Sequence, residues 1–232
     1  MKKLNIILLF LLILNISYPQ GWHWLNPLPQ GNDLYCLRFV DANTGYAVGD
    51  DGTIIKTVNG GTDWTIQTSN TYATLNSVYF KDADTGYAVG YDHYMMTGNV
   101  LKTTNGGLLW TIQASLTRMY LSSVFFTDAN TGFVVGYDLN TDAGIILRTI
   151  DGGTLWTNLA SGGTESLTSV YFTDLKKGYA VGDNGTILKT VNGGAFWTSQ
   201  ASGNFNNLAS VLAPASVDGL GKSARNAITE SN

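Results

Sequence analysis

The sequence is poor in cysteine, proline and charge. Its 232 residues include one Cys and four Pro, and 13% are charged. A single cysteine excludes a disulfide-stapled scaffold and a cysteine-based zinc module, and no apolar run approaches the ~20 residues of a transmembrane helix. The net charge of -4 argues against a nucleic-acid binder, which carries a basic patch. What is abundant is glycine, with 27 residues, and aromatics, with 6 Trp, 12 Tyr and 9 Phe. This composition indicates many short strands joined by tight turns.

The N-terminus has the pattern of a secretory signal peptide. Lys2 and Lys3 precede a mostly apolar run over residues 4–16, and a more polar stretch follows over residues 17–20. This is the order of regions in a signal peptide, and the apolar core is too short to span a bilayer. We therefore expect residues 1–20 to be removed and the protein to be periplasmic, extracellular or at the cell surface, without a transmembrane segment in the mature chain. The alternative is an uncleaved N-terminal anchor.

The rest of the chain is a repeat. Five tryptophans recur at intervals of 40 to 46 residues: Trp24, Trp64, Trp110, Trp156 and Trp197. Each unit contains four short segments rich in β-branched or aromatic residues, which in the second unit are residues 75–80, 85–90, 100–103 and 110–113. Four strands in a unit of this length are typical of a β-propeller blade.

The predicted fold is therefore all-β, a propeller of four-stranded blades over residues 21–212. Its parts are a strand around Trp24, complete units at 34–70, 75–115, 121–160 and 167–202, and a partial fifth unit at 208–212. Residues 213–232 lose the pattern and are predicted to be a degenerate or disordered tail. Two interpretations remain open: a five-bladed ring with a degenerate last blade, or an incomplete copy of a larger propeller. We favour the second because the register is lost abruptly after Val211.

The turns between the segments also repeat. The first turn reads Asp-x-x-x-Gly, as at Asp41 and Gly45, where Asp is expected to accept backbone amides and Gly to adopt a positive φ. The second is a tight Asp-Gly or Asn-Gly hairpin in the first and fourth units. The adjacent carboxylates of Asp50 and Asp51 are interpreted as turn residues, because Asn184 stands at the second position in the fourth unit.

The third turn carries a recognisable motif, Thr-x-Asn/Asp-x-Gly-x-x-Trp. Its four copies are Thr57, Asn59, Gly61, Trp64; Thr103, Asn105, Gly107, Trp110; Thr149, Asp151, Gly153, Trp156; and Thr190, Asn192, Gly194, Trp197. The motif resembles the Asp box of BNR-type propellers. The short polar side chain is expected to accept turn amides, Gly to supply a positive φ and Trp to cover the hairpin. We interpret all four boxes as structural.

Together with the strands Gly-Tyr-Ala-Val-Gly and Ser-Val-Tyr-Phe, the boxes make the unit resemble the photosystem II assembly/stability factor-like propeller family, over residues 34–211. The resemblance implies a propeller fold and a binding role. Members of that family in photosynthetic organisms bind a photosystem II reaction-centre protein, and exported bacterial members resemble general interaction scaffolds.

A candidate binding face is predicted at the end of the blades that carries the second turn and the connectors. There the hairpins that contain segments 91–99 and 137–144 are each five residues longer than the tight hairpins, and such variation marks a place where function is grafted onto a fold. The candidate residues are Tyr91, Asp92, His93, Tyr94, Tyr137 and Asp138, with Tyr72 and Tyr120 from the connectors and Arg38 as a channel-facing residue. Such a face suits protein or carbohydrate partners. The alternative for each tyrosine is packing on a neighbouring blade.

Catalytic signals are weak. Two histidines, His23 and His93, give little support to a catalytic triad or a histidine metal site, and no cofactor is predicted. Asp138, Asn140 and Asp142 alternate as in a calcium loop, but no bidentate Glu follows. The favoured function is an exported, non-catalytic propeller that binds a protein or a surface glycan, without nucleic acid as partner. The alternative is an Asp-box glycosidase of the sialidase type.

Overall fold

The computed structural model describes residues 30–159, 165–203 and 205–211. They form four antiparallel sheets of four strands each, and within each sheet the strands follow in chain order. The prediction of four complete four-stranded blades is confirmed. The predicted signal peptide, the strand around Trp24, residue 212 and the tail 213–232 lie outside the described residues. Within the described residues, no helix is both long enough and apolar enough to cross a membrane.

The first and fourth sheets have the shortest hairpins. The first consists of β1 (Leu34–Phe39), β2 (Gly45–Gly49), β3 (Ile54–Thr57) and β4 (Thr65–Gln67). The second consists of β5 (Thr74–Phe80), β6 (Gly86–Asp92), β7 (Thr97–Thr103) and β8 (Thr111–Thr117). The third consists of β9 (Met119–Phe126), β10 (Gly132–Asp138), β11 (Ala143–Thr149) and β12 (Thr157–Leu159). The fourth consists of β13 (Leu167–Phe172), β14 (Gly178–Gly182), β15 (Ile187–Thr190) and β16 (Thr198–Gln200).

The sheets are arranged around their first strands. Strand β1 packs on β5, β5 on β9 and β9 on β13, whereas no comparable packing joins the first sheet to the fourth within the described part of the chain. Each inner strand contains a one-residue bulge, and in β5, β9 and β13 a serine hydroxyl beside the bulge accepts a backbone amide of the following unit. Ser77 accepts from Val124 (3.3 Å), Ser123 from Val170 (3.4 Å) and Ser169 from Val211 (3.2 Å). The sheets thus form an open arc of propeller blades.

The packing between sheets is aromatic. Tyr46 of the first sheet stacks on Phe80 of the second, with ring centroids 3.9 Å apart, and Trp110 meets Phe80 edge-on. The Tyr46 hydroxyl donates to the buried carbonyl of Gly106 (2.9 Å), and the Lys56 ammonium donates to the same oxygen (2.7 Å). Burial raises the pKa of Tyr46 to about 12, so the phenol stays protonated as the donor that this contact requires.

The glycines of the repeated strand allow close approach. Gly86 ends the Asp-x-x-x-Gly turn of the second sheet and was expected to adopt a positive φ. It is not among the positive-φ glycines of the described chain. A Cβ there would lie 2.5 Å from the Phe80 ring, and a Cβ on Gly90 would lie 2.0 Å from the Thr74 carbonyl oxygen. Both glycines are therefore required by contacts of the inner strand. The correction holds equally for Gly45, Gly132 and Gly178, which face the rings of Phe39, Phe126 and Phe172.

The tight hairpins are as predicted. Asp51 and Gly52 both have positive φ (51° and 66°), and the Thr53 amide donates to the Asp50 carbonyl (2.9 Å), which is the geometry of a type I′ turn. Asn184 and Gly185 repeat it in the fourth sheet. These turns lie beside the connectors, since the Gly52 amide donates to the Ala73 carbonyl (2.8 Å).

Candidate functional site

The candidate site lies at the end of the second sheet where β6 turns into β7. We call residues His93–Met96 the tip. Three of its side chains are exposed apolar groups: Tyr94 (86%), Met95 (72%) and Met96 (44%). Tyr72, in the connector between the first and second sheets, is also exposed (75%).

The tip is shorter than the sequence indicated. Segments 91–99 and 137–144 were interpreted as loops, but β6 continues to Asp92, β7 begins at Thr97, and the third sheet follows the same pattern. The additional residues lengthen the hairpin and leave a four-residue turn. Tyr91, Asp92 and Asp138 are consequently buried, and they support the turns from below.

Backbone amides of the tip are held by a buried carboxylate. Asp92 Oδ1 accepts the amides of Tyr94 and Met95, both at 2.9 Å. Met96 completes the turn with φ of 55°. Among the described non-glycine residues with positive φ, four are Asp or Asn, and the other two are Met96 and Arg118. A left-handed conformation is unfavourable for such side chains, so the strain is concentrated here.

The two strained residues are bonded to each other. The Arg118 amide donates to the Met96 carbonyl (2.8 Å). Arg118 also joins the tip to the third sheet, because its carbonyl accepts the Leu139 amide (2.8 Å) and its Nη2 donates to the Leu139 carbonyl (3.2 Å). Buried Asn99 links the hairpin to the connector, since its Nδ2 donates to Thr71 Oγ1 (3.1 Å). The tip is thus fixed from several sides.

The third sheet has the same turn with a different surface. Asp138 accepts the Asn140 amide (2.8 Å) as Asp92 accepts that of Tyr94, and Asp142 occupies the left-handed position of Met96 with φ of 59°. The residues at the positions of Tyr94, Met95 and Met96 are Asn140, Thr141 and Asp142. The turn geometry therefore does not require apolar side chains at the tip, because a polar sequence adopts the same turn in the third sheet.

Aromatic candidates cluster beneath the tip. Tyr91 meets His93 edge-on at 5.0 Å and lies 5.4 Å from Tyr120, measured between ring centroids. Tyr120 is half-buried and its hydroxyl donates to Asn76 Oδ1 (3.4 Å). Tyr137, the counterpart of Tyr91, donates its hydroxyl to Asp142, and this bond raises the pKa of Tyr137. Tyr91, Tyr120 and Tyr137 thus mainly support the face, whereas Tyr72 and Tyr94 are exposed on it.

Arg38 does not join this group. It stands near the far end of β1, and its guanidinium lies 5.6 Å from the centroid of the Tyr79 ring. The aligned residues continue along the inner strands, with Tyr79 to Phe125 at 5.2 Å and Phe125 to Tyr171 at 5.0 Å. Arg38 therefore stands at the start of a row of inner-strand side chains whose other members are aromatic, and this row lies away from the tip.

The calcium candidate is engaged in local bonds. Asp138 Oδ1 accepts both the amide and the side-chain Nδ2 of Asn140, at 2.8 and 3.1 Å, while Asp142 accepts the Tyr137 hydroxyl. The described residues contain no group of three His, Cys, Asp or Glu side chains that is suited to a metal ion. The segment therefore stays a weak calcium candidate that has not been tested.

The Asp boxes lie at the opposite end and are turn fasteners. Asn105 Oδ1 accepts the Leu109 amide (3.0 Å), as predicted for the short polar residue. Sequence reasoning missed the part played by Thr103, whose buried hydroxyl donates to Asn105 Oδ1 (3.0 Å) and accepts the Gly107 amide (3.0 Å). Its occurrence in all four boxes was the available signal. At Asp151 the Leu155 amide and the Thr149 hydroxyl lower the pKa of the carboxyl.

The carboxyls whose pKa is shifted do not resemble a general acid. The pKa is lowered at five carboxyls, which are Asp41, Asp82, Asp128, Asp151 and Asp174. All five belong to turns at the Asp-box end. A glycosidase acid requires a raised pKa, so these carboxyls serve as acceptors within turns.

Comparison with known proteins supports the fold. The sequence matches no protein-family model and no curated protein. Among solved structures, the chain is similar to YCF48 from Cyanidioschyzon merolae (TM-score 0.54, 18% identity, covering 75% of this chain and 60% of that one). It is also similar to the GH74 enzyme of Niastella koreensis (TM-score 0.58, 18% identity, covering 71% of this chain and 28% of that one).

A third similar structure is an ancestral GH74 enzyme (TM-score 0.58, 19% identity, covering 76% of this chain and 25% of that one). The chain thus spans less than two thirds of the length of each of these three proteins. At such low identity the likeness establishes a β-propeller architecture, and the partial coverage agrees with an open arc of blades.

Proposed function

We propose that the protein is a non-catalytic propeller module that binds a protein partner through the tip and Tyr72. The observation that carries this is the pair of equivalent turns in the second and third sheets. They share a buried aspartate cap and a left-handed fourth residue, yet one presents Tyr94, Met95 and Met96 where the other is polar.

Exposed, contiguous apolar side chains on a soluble surface are typical of protein contacts. Tyrosine and methionine are also enriched in protein interfaces, and methionine adapts to irregular partners. Because Asp92, Asn99 and Arg118 hold the turn in place, little conformational entropy is lost when a partner binds. A rigid turn with an apolar surface is suited to such docking.

We further propose that the chain is a divergent, exported member of the photosystem II assembly/stability factor-like family. Support comes from its four Asp boxes, the Gly-Tyr-Ala-Val-Gly strands and the N-terminal signal-peptide pattern. The arc of four-stranded sheets agrees with a propeller of that kind.

The third sheet supplies the test. Transferring its residues to the tip gives the variant Tyr94→Asn, Met95→Thr, Met96→Asp, which keeps the turn geometry and removes the apolar surface. Peptides selected from a displayed random library on the wild-type chain should bind this variant at least about 10-fold more weakly, as expected when interface anchors are lost. Ile150→Asn, at an exposed apolar residue of the Asp-box end, serves as the control and should bind them like wild type.

Three results would contradict the proposal. Selected peptides that bind the tip variant and the wild type equally would place the binding surface elsewhere. Retention on a glycan array that the tip variant loses would instead assign the surface to carbohydrate, and turnover of fluorogenic glycosides would restore the glycosidase alternative.

A further inference from the structure

The first sheet has an exposed apolar face whose equivalents in the other sheets are buried. Leu34, Leu37 and Phe39 are 43%, 57% and 39% exposed. The side chains at the same positions of the other sheets are all buried, at 5% exposure or less: Leu75, Val78, Phe80; Leu121, Val124, Phe126; Leu167, Val170 and Phe172. An open cavity of about 770 Å³ lies against this face, between β1 and Trp64. The sequence of the first sheet therefore indicates that another sheet packs against this face.

The other sheets show what such a neighbour supplies. At the second contact in the chain, Tyr87 stacks on Phe126 at 3.9 Å, and the Tyr87 hydroxyl and Lys102 ammonium both donate to the Gly152 carbonyl, at 2.8 and 2.7 Å. The first contact uses Tyr46, Lys56, Phe80 and Gly106 in the same way. In these two contacts the donor face carries a Tyr ring and a Lys ammonium, and the acceptor face carries a Phe ring and an Asp-box carbonyl.

One donor face and one acceptor face have no partner among the described residues. Tyr179 and Lys189 of the fourth sheet are arranged as in the other donor faces, with the ammonium 6.0 Å from the ring centroid. Within the part of the chain that the structure describes, neither the Tyr179 hydroxyl nor the Lys189 ammonium makes a hydrogen bond. On the first sheet, Gly60 holds the position of Gly106 but is exposed.

Residues 212–232 do not contain the acceptor elements seen in the other sheets. The Val211 amide bonds to Ser169 as the corresponding amides do in the other sheets, so residues 208–211 lie where a next inner strand begins. The position equivalent to Phe80 is then Ala213, and residues 212–232 contain no aromatic residue and no Asp box. A second copy of the chain has the required elements in its first sheet, which are a Phe ring and an exposed Asp-box carbonyl.

We propose that two copies associate head to tail through these faces. Tyr179 of one copy stacks on Phe39 of the other, and its hydroxyl and Lys189 donate to the Gly60 carbonyl. Strand β1 of the incoming copy replaces residues 208–211, since Leu34, Cys36 and Leu37 correspond to Leu208, Ser210 and Val211. Two such joints related by a two-fold axis close a ring of eight sheets, a size within the range known for propellers.

Complementation between two variants of the full chain tests the joint. Leu37→Asp places a charge on the acceptor face, and Lys189→Glu places a carboxylate against the Gly60 carbonyl. Because each variant retains one intact face of the other kind, each should be a monomer alone, while an equal mixture should form a one-to-one pair. Each substitution is expected to weaken wild-type association by about 30-fold or more, as for a central interface residue. Leu108→Asp, at an exposed residue of the second Asp box, is the control and should associate like wild type.

Sedimentation velocity gives the mass of each species, and circular dichroism verifies that each variant is folded. We expect the wild-type chain to have the mass of two copies and to dissociate on dilution. A wild-type chain with the mass of one copy throughout the dilution series would overturn the proposal. So would folded variants whose mixture fails to pair, or wild-type assemblies larger than two copies.

Discussion

The threonine that opens each Asp box organises the turn through one buried hydroxyl. In the second box, Thr103 accepts the amide of buried Gly107 and donates to Asn105, which in turn accepts the Leu109 amide. The same bonds recur in the first, third and fourth boxes. The motif is therefore a small network in which the threonine connects the polar residue to the glycine.

Replacing Thr103 by Val removes the hydroxyl and keeps the shape. We expect the free energy of unfolding to fall by about 1 to 3 kcal/mol, because the buried Gly107 amide loses its acceptor. Thr111→Val is the matched control, since Thr111 is exposed, and it should change stability by less than about 0.5 kcal/mol. Equal urea midpoints for the two variants would show that the Thr103 hydroxyl does not stabilise the fold.

At the scale of elements, the contact between the third and fourth sheets departs from the other two. Phe133 stands in place of tyrosine and Arg148 in place of lysine. Phe133 still stacks on Phe172, at 4.4 Å, but it has no hydroxyl, and the buried Nε of Arg148 has no hydrogen-bond partner among the described residues. The carbonyl of Gly193, at the position of Gly106, thus lacks the pair of donors present in the other contacts.

The double substitution Phe133→Tyr, Arg148→Lys should restore that pair. We expect it to raise the free energy of unfolding by about 1 to 2 kcal/mol, the net value of two added hydrogen bonds. The reverse exchange in the preceding contact, Tyr87→Phe with Lys102→Arg, should lower stability by a similar amount. Urea unfolding of the four single variants completes the double-mutant cycle for each of the two contacts. A restored pair no more stable than wild type would mean that Arg148 has compensating contacts.

Much of this architecture was predictable because it repeats. Copies of the Asp box and of the Gly-Tyr-Ala-Val-Gly strand fix the number and order of strands, and the favoured interpretation of an incomplete propeller agrees with the open arc. The structure of the long hairpins was predicted wrongly. Tyr91 and Asp92 were expected to lie in a loop, whereas they pair with Gly98 and Thr97 and extend the strands. The strain at Met96 was also unpredictable, since a positive φ at methionine follows from bonds to residues distant in sequence, such as Arg118.

At the scale of the whole molecule, the acidic turns connect stability to pH. The first turn of every sheet has an aspartate that accepts two backbone amides, as Asp41 accepts those of Asn43 and Thr44 at 2.7 and 2.8 Å. These bonds lower the pKa of Asp41, and of Asp174 in the same way. At Asp82 and Asp128 burial opposes the shift, but the turn amides together with the side chains nearby outweigh it.

We therefore expect acid to destabilise the fold through these four carboxyls. A carboxyl whose pKa is lower in the folded chain stabilises it above the unfolded pKa of about 4, and this contribution is lost as the pH falls through the folded value. The free energy of unfolding, measured with urea from pH 7 to pH 2.5, should decline mainly below about pH 4. Changing Asp41, Asp82, Asp128 and Asp174 to Asn preserves an acceptor oxygen and removes the titration. The decline below pH 4 should then be shallower than in wild type, whatever the stability at pH 7, and parallel curves would assign the acid sensitivity to other carboxyls.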